Sequence, residues 1–570
     1  MHIGHSPLRT LAVSFCVLLL IGTAPVSAAS TAVPAVSPET LRQGERIYRE
    51  GILPSGAALR ASIKGGAAVP GLTFACSSCH LRSGLGAFDE GVYTPAINGA
   101  KLFHPLLRRY KGADLSADKV KPLRPAYTEE SLIQALRTGN APDGRVLKDG
   151  MPRYPLTDSD ARILVAYLKE LSSRLSPGVG PTSLRFATVV SEDVPPEKST
   201  AMFAAFDNIF TMQNNRTKSS SDPRSRQMAQ NMLGRDLESR TLSLSRWILT
   251  GPPETWRRQL EEYNRKEPVF ALLGGMVSGQ WRPVHQFCEE FEIPCLFPVT
   301  DFPVISETDW YTLYLSKGYY QEGESAARYL NSNSAQLMGR PVVQIVRSSP
   351  QGGALSEGFL KTWQELGEQA PVTVFLPPGK MLDRESLRRL LAKEQPAALL
   401  IWDDAAAPPV LESVSSRDGR PDLVFFSARY LGESFWTLPE SIRDSTYLTY
   451  PYAFSFPAVR TGMGVNKVQD DRSQTLRRAD LPFKNELQET VSLTNALTQL
   501  LSNLLQELKD NYYRDNLLDV AGMMADQQYP LYGRISFGTA LRYAVRGCFV
   551  VQLGHGATPE LVKKSGWVIQ

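Results

Sequence analysis

Two patterns of apolar and polar positions divide the chain. In the first part the periodic segments are helical. Ser37-Pro38-Glu39 is a start signal, with Ser as cap and Pro at the first helical position, and the helix it opens runs through Gly44, Ile47 and Tyr48. Near residue 170, Ile163, Leu164, Tyr167, Leu168 and Leu171 repeat at helical spacing behind Thr157 as cap and Asp160 as its capping-box partner. The stretch from Gly51 to Gly71 is rich in Gly, Ala and Pro and reads as a loop. Beyond Ser176 to Pro181, a linker by composition, short β-rich runs alternate with helical ones. Arg185 to Val190 precedes a helix around Ala201 to Met212, Thr241 to Leu249 precedes Glu254 to Lys266, and Val269 to Gly274 precedes Val284 to Phe291. Ile293 to Val299 precedes Tyr320 to Leu330, Val342 to Val346 precedes Leu355 to Leu366, Val372 to Phe375 precedes Arg384 to Lys393, and Ala397 to Trp402 precedes another helical run. This alternation predicts mostly parallel sheets covered by helices, and its length predicts two doubly wound lobes. The fold class is therefore multidomain: an all-α unit over 37–176, a linker over 177–183 and a two-lobed α/β unit over 184–570.

Composition narrows the setting. With 42% hydrophobic and 21% charged residues, neither disorder nor a membrane bundle is favoured, and a net charge of +4 without a strong basic tract gives no reason to expect nucleic acid. Arg9 precedes an apolar run from Leu11 to Ile21, which ends in the small residues Ser27, Ala28 and Ala29. The run is shorter than the ~20 residues of a spanning helix. It reads as a signal peptide over 1–29, cleaved on export, with a periplasmic mature protein that has no membrane span.

The candidate chemistry is concentrated at Cys76-Ser77-Ser78-Cys79-His80. Two cysteines separated by two residues and followed by histidine form the attachment signature of a c-type haem: each thiol adds to a vinyl group and the adjacent imidazole reaches the iron. One covalent haem c is expected. Met151, in Gly150-Met151-Pro152 just before the closing helix, is the candidate second axial ligand; His104, beside Pro105, is the competitor and would lower the potential. Arg108, Arg109, Lys111, Lys119, Lys121 and Arg124 form either a solvated loop or a face that steers an acidic redox partner.

A helix, the haem motif, a methionine loop and a closing helix in this order resemble the class I c-type cytochromes, over roughly Glu39 to Leu175. The resemblance implies that the first and last helices cross at Gly44 against Tyr167, and that Pro95 accepts a hydrogen bond from the proximal histidine. The segments before Cys76 and between Pro95 and Met151 are longer than that family's.

In the second unit, no GxGxxG or Walker loop supports a nucleotide site. Leu233-Gly234-Arg235, Leu272-Leu273-Gly274-Gly275 with Ser278, Ile293-Pro294, the long helix Glu486 to Leu508 and Gly533-Arg534-Ile535-Ser536-Phe537 as closing strand resemble type I periplasmic binding proteins, the branched-chain amino-acid ABC transporter substrate-binding type. Asn231-Met232, where that family has a glycine pair, and the polar insertion Asn214 to Arg226 depart from it. The resemblance implies a cleft for a small polar solute beyond the strand ends, near Ser278 and Thr300, with Trp402 and Asp403 as further lining; each also has an ordinary reading as a cap, turn or packing residue. Cys288 and Cys295 can pair in an oxidising compartment or be buried thiols, and Cys548 reads as buried and free. No catalytic constellation stands out, so a non-enzyme is expected: a periplasmic one-electron carrier whose second unit docks a redox partner or binds a ligand. The resemblance to this binding fold, whose relatives occur beside quinoprotein alcohol oxidation systems, implies a quinoprotein dehydrogenase as that partner. The alternative is a solute receptor whose haem senses redox state or a diatomic gas.

Overall fold

The computed structural model describes residues 36–63, 69–70, 74–89, 91–106, 123–220, 240–454, 473–481, 485–529, 531–538 and 541–568. The N-terminal apolar segment, Arg108, Arg109, Lys111, Lys119, Lys121 and the stretch Asn231 to Arg235 lie outside the described residues.

Ser37 starts α1 (Pro38–Glu50): its hydroxyl accepts the Thr40 N–H at 3.1 Å, and Gly51, at φ 65°, closes it. The motif forms the short helix α2 (Cys76–His80), followed by α3 (Gly99–Leu102). Next comes α4 (Glu129–Thr138), which the hydrophobic pattern did not single out although a Thr128–Ser131 capping box and a left-handed Gly139 bound it. Thr157 caps the closing helix α5 (Asp158–Glu170) as expected. Helices α1 and α5 cross at Gly44, where a Cβ would stand 2.5 Å from the Tyr167 Cβ and 2.8 Å from the Ile163 carbonyl, so only glycine allows the approach. The Tyr48 and Tyr167 rings meet there at 5.5 Å. The unit is not purely α. Two small antiparallel ladders interrupt it, β1 (Arg60–Ala61) with β2 (Val69–Pro70) and β3 (Ala87–Asp89) with β4 (Val92–Thr94).

The α/β unit holds two main sheets. In the first, β5 (Ser183–Ser191), β6 (Thr241–Leu249), β7 (Ala271–Leu273), β8 (Cys295–Leu296) and β9 (Thr312–Leu313) are parallel in the order β6-β5-β7-β8-β9. The second is mixed rather than parallel throughout. Strands β10 (Val342–Arg347), β11 (Val372–Leu376), β12 (Ala398–Trp402), β13 (Leu423–Ser427) and β14 (Thr446–Tyr450) are parallel, and three antiparallel strands extend the sheet. These are β18 (Phe549–Leu553), beside β14, then β19 (Glu560–Lys563), and β15 (Thr475–Arg477) at the edge; the short hairpin β16 (Gln527–Tyr529) and β17 (Gly533–Ile535) is a separate sheet. The segment Gly533 to Phe537 is thus a hairpin arm, and the closing strand lies further on. Every residue of β10, β12 and β13 is buried, as expected where helices cover both faces. The helix Glu486–Leu508 returns to the first sheet, where Leu497 and Phe206 both press on Gly274. Among the described residues no helix is long and apolar enough to cross a membrane.

The Pro/Gly linker is packed rather than loose. The Ser176 N–H donates to the Tyr512 carbonyl at 3.3 Å, its hydroxyl accepts the Arg514 N–H at 2.9 Å, and a Cβ at Gly178 would stand 2.1 Å from the Phe270 nitrogen.

Among the buried carboxyls that couple the stability of the α/β unit to pH, Glu322 is shifted furthest. Glu322, in the helix Tyr319–Ser332, is fully buried; one oxygen accepts the Thr449 hydroxyl at 2.7 Å, the other has no partner, and burial raises its pKa to about 7. Because the folded-state pKa is raised, the native state keeps a proton that the unfolded chain has released between about pH 4.5 and 7. Stability is therefore highest below that window and falls as pH rises through it. Glu322→Gln is expected to flatten this decline and to stabilise the protein at pH 8 by about 3 kcal/mol, at 1.36 kcal/mol per pKa unit. Urea titrations at pH 4.5 and 8 check it: an undiminished pH dependence in the variant would show that Glu322 is not its source.

Candidate functional site

Helix α2 presents Cys76, Cys79 and His80 within one turn and a half; both thiols are free, Cys76 buried and Cys79 exposed. Burial pushes the Cys76 thiol up to about 12, so it is held as the neutral thiol. His80 is buried, and its Nδ1 lies 2.9 Å from the Pro95 carbonyl. A carbonyl oxygen only accepts, so Nδ1 carries the proton and Nε2 keeps its lone pair. Burial lowers the imidazole pKa, which also favours this neutral, ligating form.

The close approach of Pro95 depends on Gly86. At φ 71°, a Cβ there would meet the Thr94 carbonyl at 2.2 Å and the Pro95 carbonyl oxygen at 2.8 Å. The Gly86 N–H donates to the His80 carbonyl at 3.2 Å, which ties both ends of the turn to the histidine.

Met151 is half-buried and packs against the core cluster that contains Cys76, Leu136 and Tyr154. Its loop is fastened on both sides. Arg153 and Ser62 exchange backbone hydrogen bonds at 2.8 and 3.0 Å, the Tyr154 N–H donates to the Leu136 carbonyl at 2.9 Å, and the Tyr154 hydroxyl donates to the Phe74 carbonyl at 2.9 Å, two residues before Cys76. The Arg153 guanidinium donates to the carbonyls of Met151 and of Leu147. It lies where a Cβ on Gly139 would be, so the C-cap of α4 makes room for it. Arg153, Tyr154 and Ser62 thus position the methionine loop, and the cap signature around Thr128 and Gly139 was the one sequence signal pointing there. His104 is exposed. Arg124 is not part of a solvated basic face: it is buried, its guanidinium donating to the carbonyls of Lys101, Leu102, His104 and Pro125.

Two thiols at the attachment spacing, an imidazole whose tautomer leaves Nε2 available, and a methionine on a fastened loop fit a covalently attached haem. Among the described residues no group of three or more His, Cys, Asp or Glu side chains is arranged to hold a metal ion.

The other sequence-predicted site residues are not gathered into one site. Ser278 is exposed after β7, its N–H bonded to the Ser191 hydroxyl at 3.0 Å, and Thr300, after β8, turns its hydroxyl back to the Phe302 N–H at 3.1 Å. Trp402 is fully buried, its indole N–H on Gln344 at 3.2 Å, and so belongs to the core of the second sheet rather than to a cleft wall. Asp403 is buried in a two-pronged pair with Arg347 at 2.7 and 2.8 Å, which turns it inward. Across the two sheets, beyond their strand ends, Arg429 instead pairs with Asp301 and lies 3.7 Å from Glu489, whose carboxylate accepts the Tyr452 hydroxyl at 3.0 Å. No local pattern marks these residues. Cys288 and Cys295 are buried free thiols, as is Cys548. A groove of about 570 Å³ lined by Arg340, Glu385, Arg388, Arg389 and Arg417 shares no residue with any of these sets.

No family model and no curated protein matches the chain. Among solved structures it is similar to a putative branched-chain amino acid ABC transporter from Rhodospirillum rubrum, at 12% identity over 68% of this chain and 100% of that one, TM-score 0.42. A branched-chain amino acid ABC transporter from Thermus thermophilus with bound valine gives 13% identity over 68% and 97%, TM-score 0.43. A leucine binding protein from Thermotoga maritima gives 12% over 67% and 98%, TM-score 0.41.

Proposed function

We propose that this chain is a periplasmic monohaem electron carrier, with residues 37–176 as a c-type cytochrome unit and the α/β unit as a module that docks a redox partner or binds a small polar solute. The observation that carries it is the His80 Nδ1 contact with the Pro95 carbonyl at 2.9 Å, which prepares Nε2 for iron beside two free thiols. Cys76 and Cys79 would hold the group by thioether bonds, and His80 and Met151 would be its axial ligands. A haem held there supplies a one-electron iron couple. His80 is itself buried, and Arg153 and Tyr154 hold the backbone of the Met151 loop in place. A periplasmic dehydrogenase, for instance a quinoprotein, fits the role of electron donor.

Protein purified from periplasm is expected to carry one haem per chain, quantified as the pyridine haemochrome, that stays on the polypeptide through acid-acetone extraction. Haem that extracts, or none at all, would overturn the reading. A second reading, a solute receptor with a haem sensor, draws on the two-sheet architecture and on the Asp301–Arg429 pair that joins the sheets. A solute that shifts the haem potential on binding would favour it, whereas reduction by a dehydrogenase that is insensitive to solutes favours the carrier.

A further inference from the structure

We infer that Asp519, in the helix Arg514–Gly522 of the α/β unit, is a positioning residue for the loop that follows the proximal histidine, so that the haem site is completed from the other unit. The inference rests on the haem reading above. Immediately after His80 the chain passes through Leu81 at φ 63° and ψ 168°, a conformation that side-chain-bearing residues seldom adopt. Such a residue persists only where its surroundings hold it. The Leu81 carbonyl accepts the Tyr48 hydroxyl at 2.7 Å, and the turn aims the next two N–H groups at a single point. Consecutive N–H groups converging in this way form a nest for an anion.

The anion is Asp519. Its two oxygens accept the Arg82 N–H at 3.3 Å and the Ser83 N–H at 2.8 Å, and it lies 437 positions beyond Arg82. Ser83 is fully buried and Asp519 nearly so, which leaves these N–H groups little access to solvent as an alternative partner. The same helix supplies Asp515, one turn earlier, which pairs with Arg49 of α1 at 2.6 Å and accepts the Tyr311 hydroxyl at 3.1 Å. The Arg82 guanidinium lies 4.4 Å from the centre of the Trp310 ring. The loop is thus gripped by the α/β unit at residues 82 and 83, and by His80 itself through Gly86 and Pro95. Without the carboxylate, two buried N–H groups lose their acceptor, and Leu81 is held only by the Tyr48 hydroxyl and the Gly84 N–H on its carbonyl, so its relaxation is transmitted to the imidazole next to it.

The test uses full-length holoprotein at pH 8, with Asp519→Ala and Asp519→Asn. Amide hydrogen exchange in the peptide spanning 81–86 is expected to speed up by about tenfold or more in Asp519→Ala, and less in Asp519→Asn, which keeps one acceptor. The haem midpoint potential is expected to rise in both, because a negative charge that favours the oxidised iron is gone, while haem stoichiometry stays unchanged. A merely structural role would lower the melting temperature and leave the midpoint where it was; that outcome, or unchanged exchange in the folded variants, overturns the inference. If Asp519→Ala does not fold, Asp519→Asn carries both readouts. Absence of covalent haem from the unsubstituted protein would overturn the carrier reading itself, whichever way the exchange falls.

Discussion

Replacing Met151 by alanine is expected to abolish the far-red methionine-to-iron absorption band of the oxidised protein and to lower its midpoint potential. Thioether ligation raises the potential of a histidine-bound haem, so its loss acts in the opposite direction. The structure gives a reason to expect a clean effect. The loop is fixed through main-chain bonds at Arg153 and Tyr154 and through the Arg153 guanidinium on the Met151 carbonyl, none of which involves the thioether. The backbone is therefore expected to stay in place while the proposed ligand is removed. The packing cost of the truncation is about 2 kcal/mol, the low end for a core methionine because Met151 is only half-buried. Optical spectroscopy with a redox titration measures both effects. Survival of the band would remove Met151 as the ligand, and a bis-histidine spectrum in the variant would point to His104.

The largest stability effect is expected at Arg347. This guanidinium forms two charge-assisted hydrogen bonds to Asp403, whose side chain is only 1% exposed, and also donates to the Lys380 carbonyl. Arg347→Met keeps most of the packing but strands a carboxylate in the interior, with the Asp404 N–H as its remaining hydrogen bond. Breaking such a buried pair from one side costs about 3–5 kcal/mol. Exchanging both partners, Arg347→Met with Asp403→Leu, is expected to recover most of that loss, because no uncompensated charge remains. Denaturant unfolding of the two variants decides the matter. If Arg347→Met were fully stable, and instead altered the binding of a solute, Asp403 would be a ligand-facing residue after all.

Some of this architecture was legible because its causes are local. Ser37 and Thr157 cap helices with their own hydroxyls, and the thiol and imidazole spacing of Cys76 to His80 lies within a single turn. Gly44, Tyr167 and Pro95 were placed by resemblance, and the structure supplies the reasons: a helix crossing that admits no Cβ and a carbonyl that sets the histidine tautomer. Helix α4 carried a readable cap on each side, but it lies in the segment between Pro95 and Met151 that read only as longer than the cytochrome family's. Trp402 and Asp403 were misplaced for a different reason. Parallel strands covered on both faces are apolar throughout, so their pattern does not distinguish a strand end that meets solvent from one that is sealed by Arg347.

The sequence by itself determined the alternation that builds the parallel strands and the local caps of the helices, and it pointed to two units and to the Cys76–His80 motif with its candidate ligands, because each rests on residues a few positions apart. Only the tertiary structure decided which charges meet. Asp519 beneath the turn after His80, Asp515 on Arg49, Arg347 on Asp403 and Arg429 on Asp301 bring together groups tens to hundreds of positions apart. A single buried aspartate leaves no periodicity along the chain. Its partner is chosen by the packing of whole elements and by the cost of leaving a buried charge unpaired.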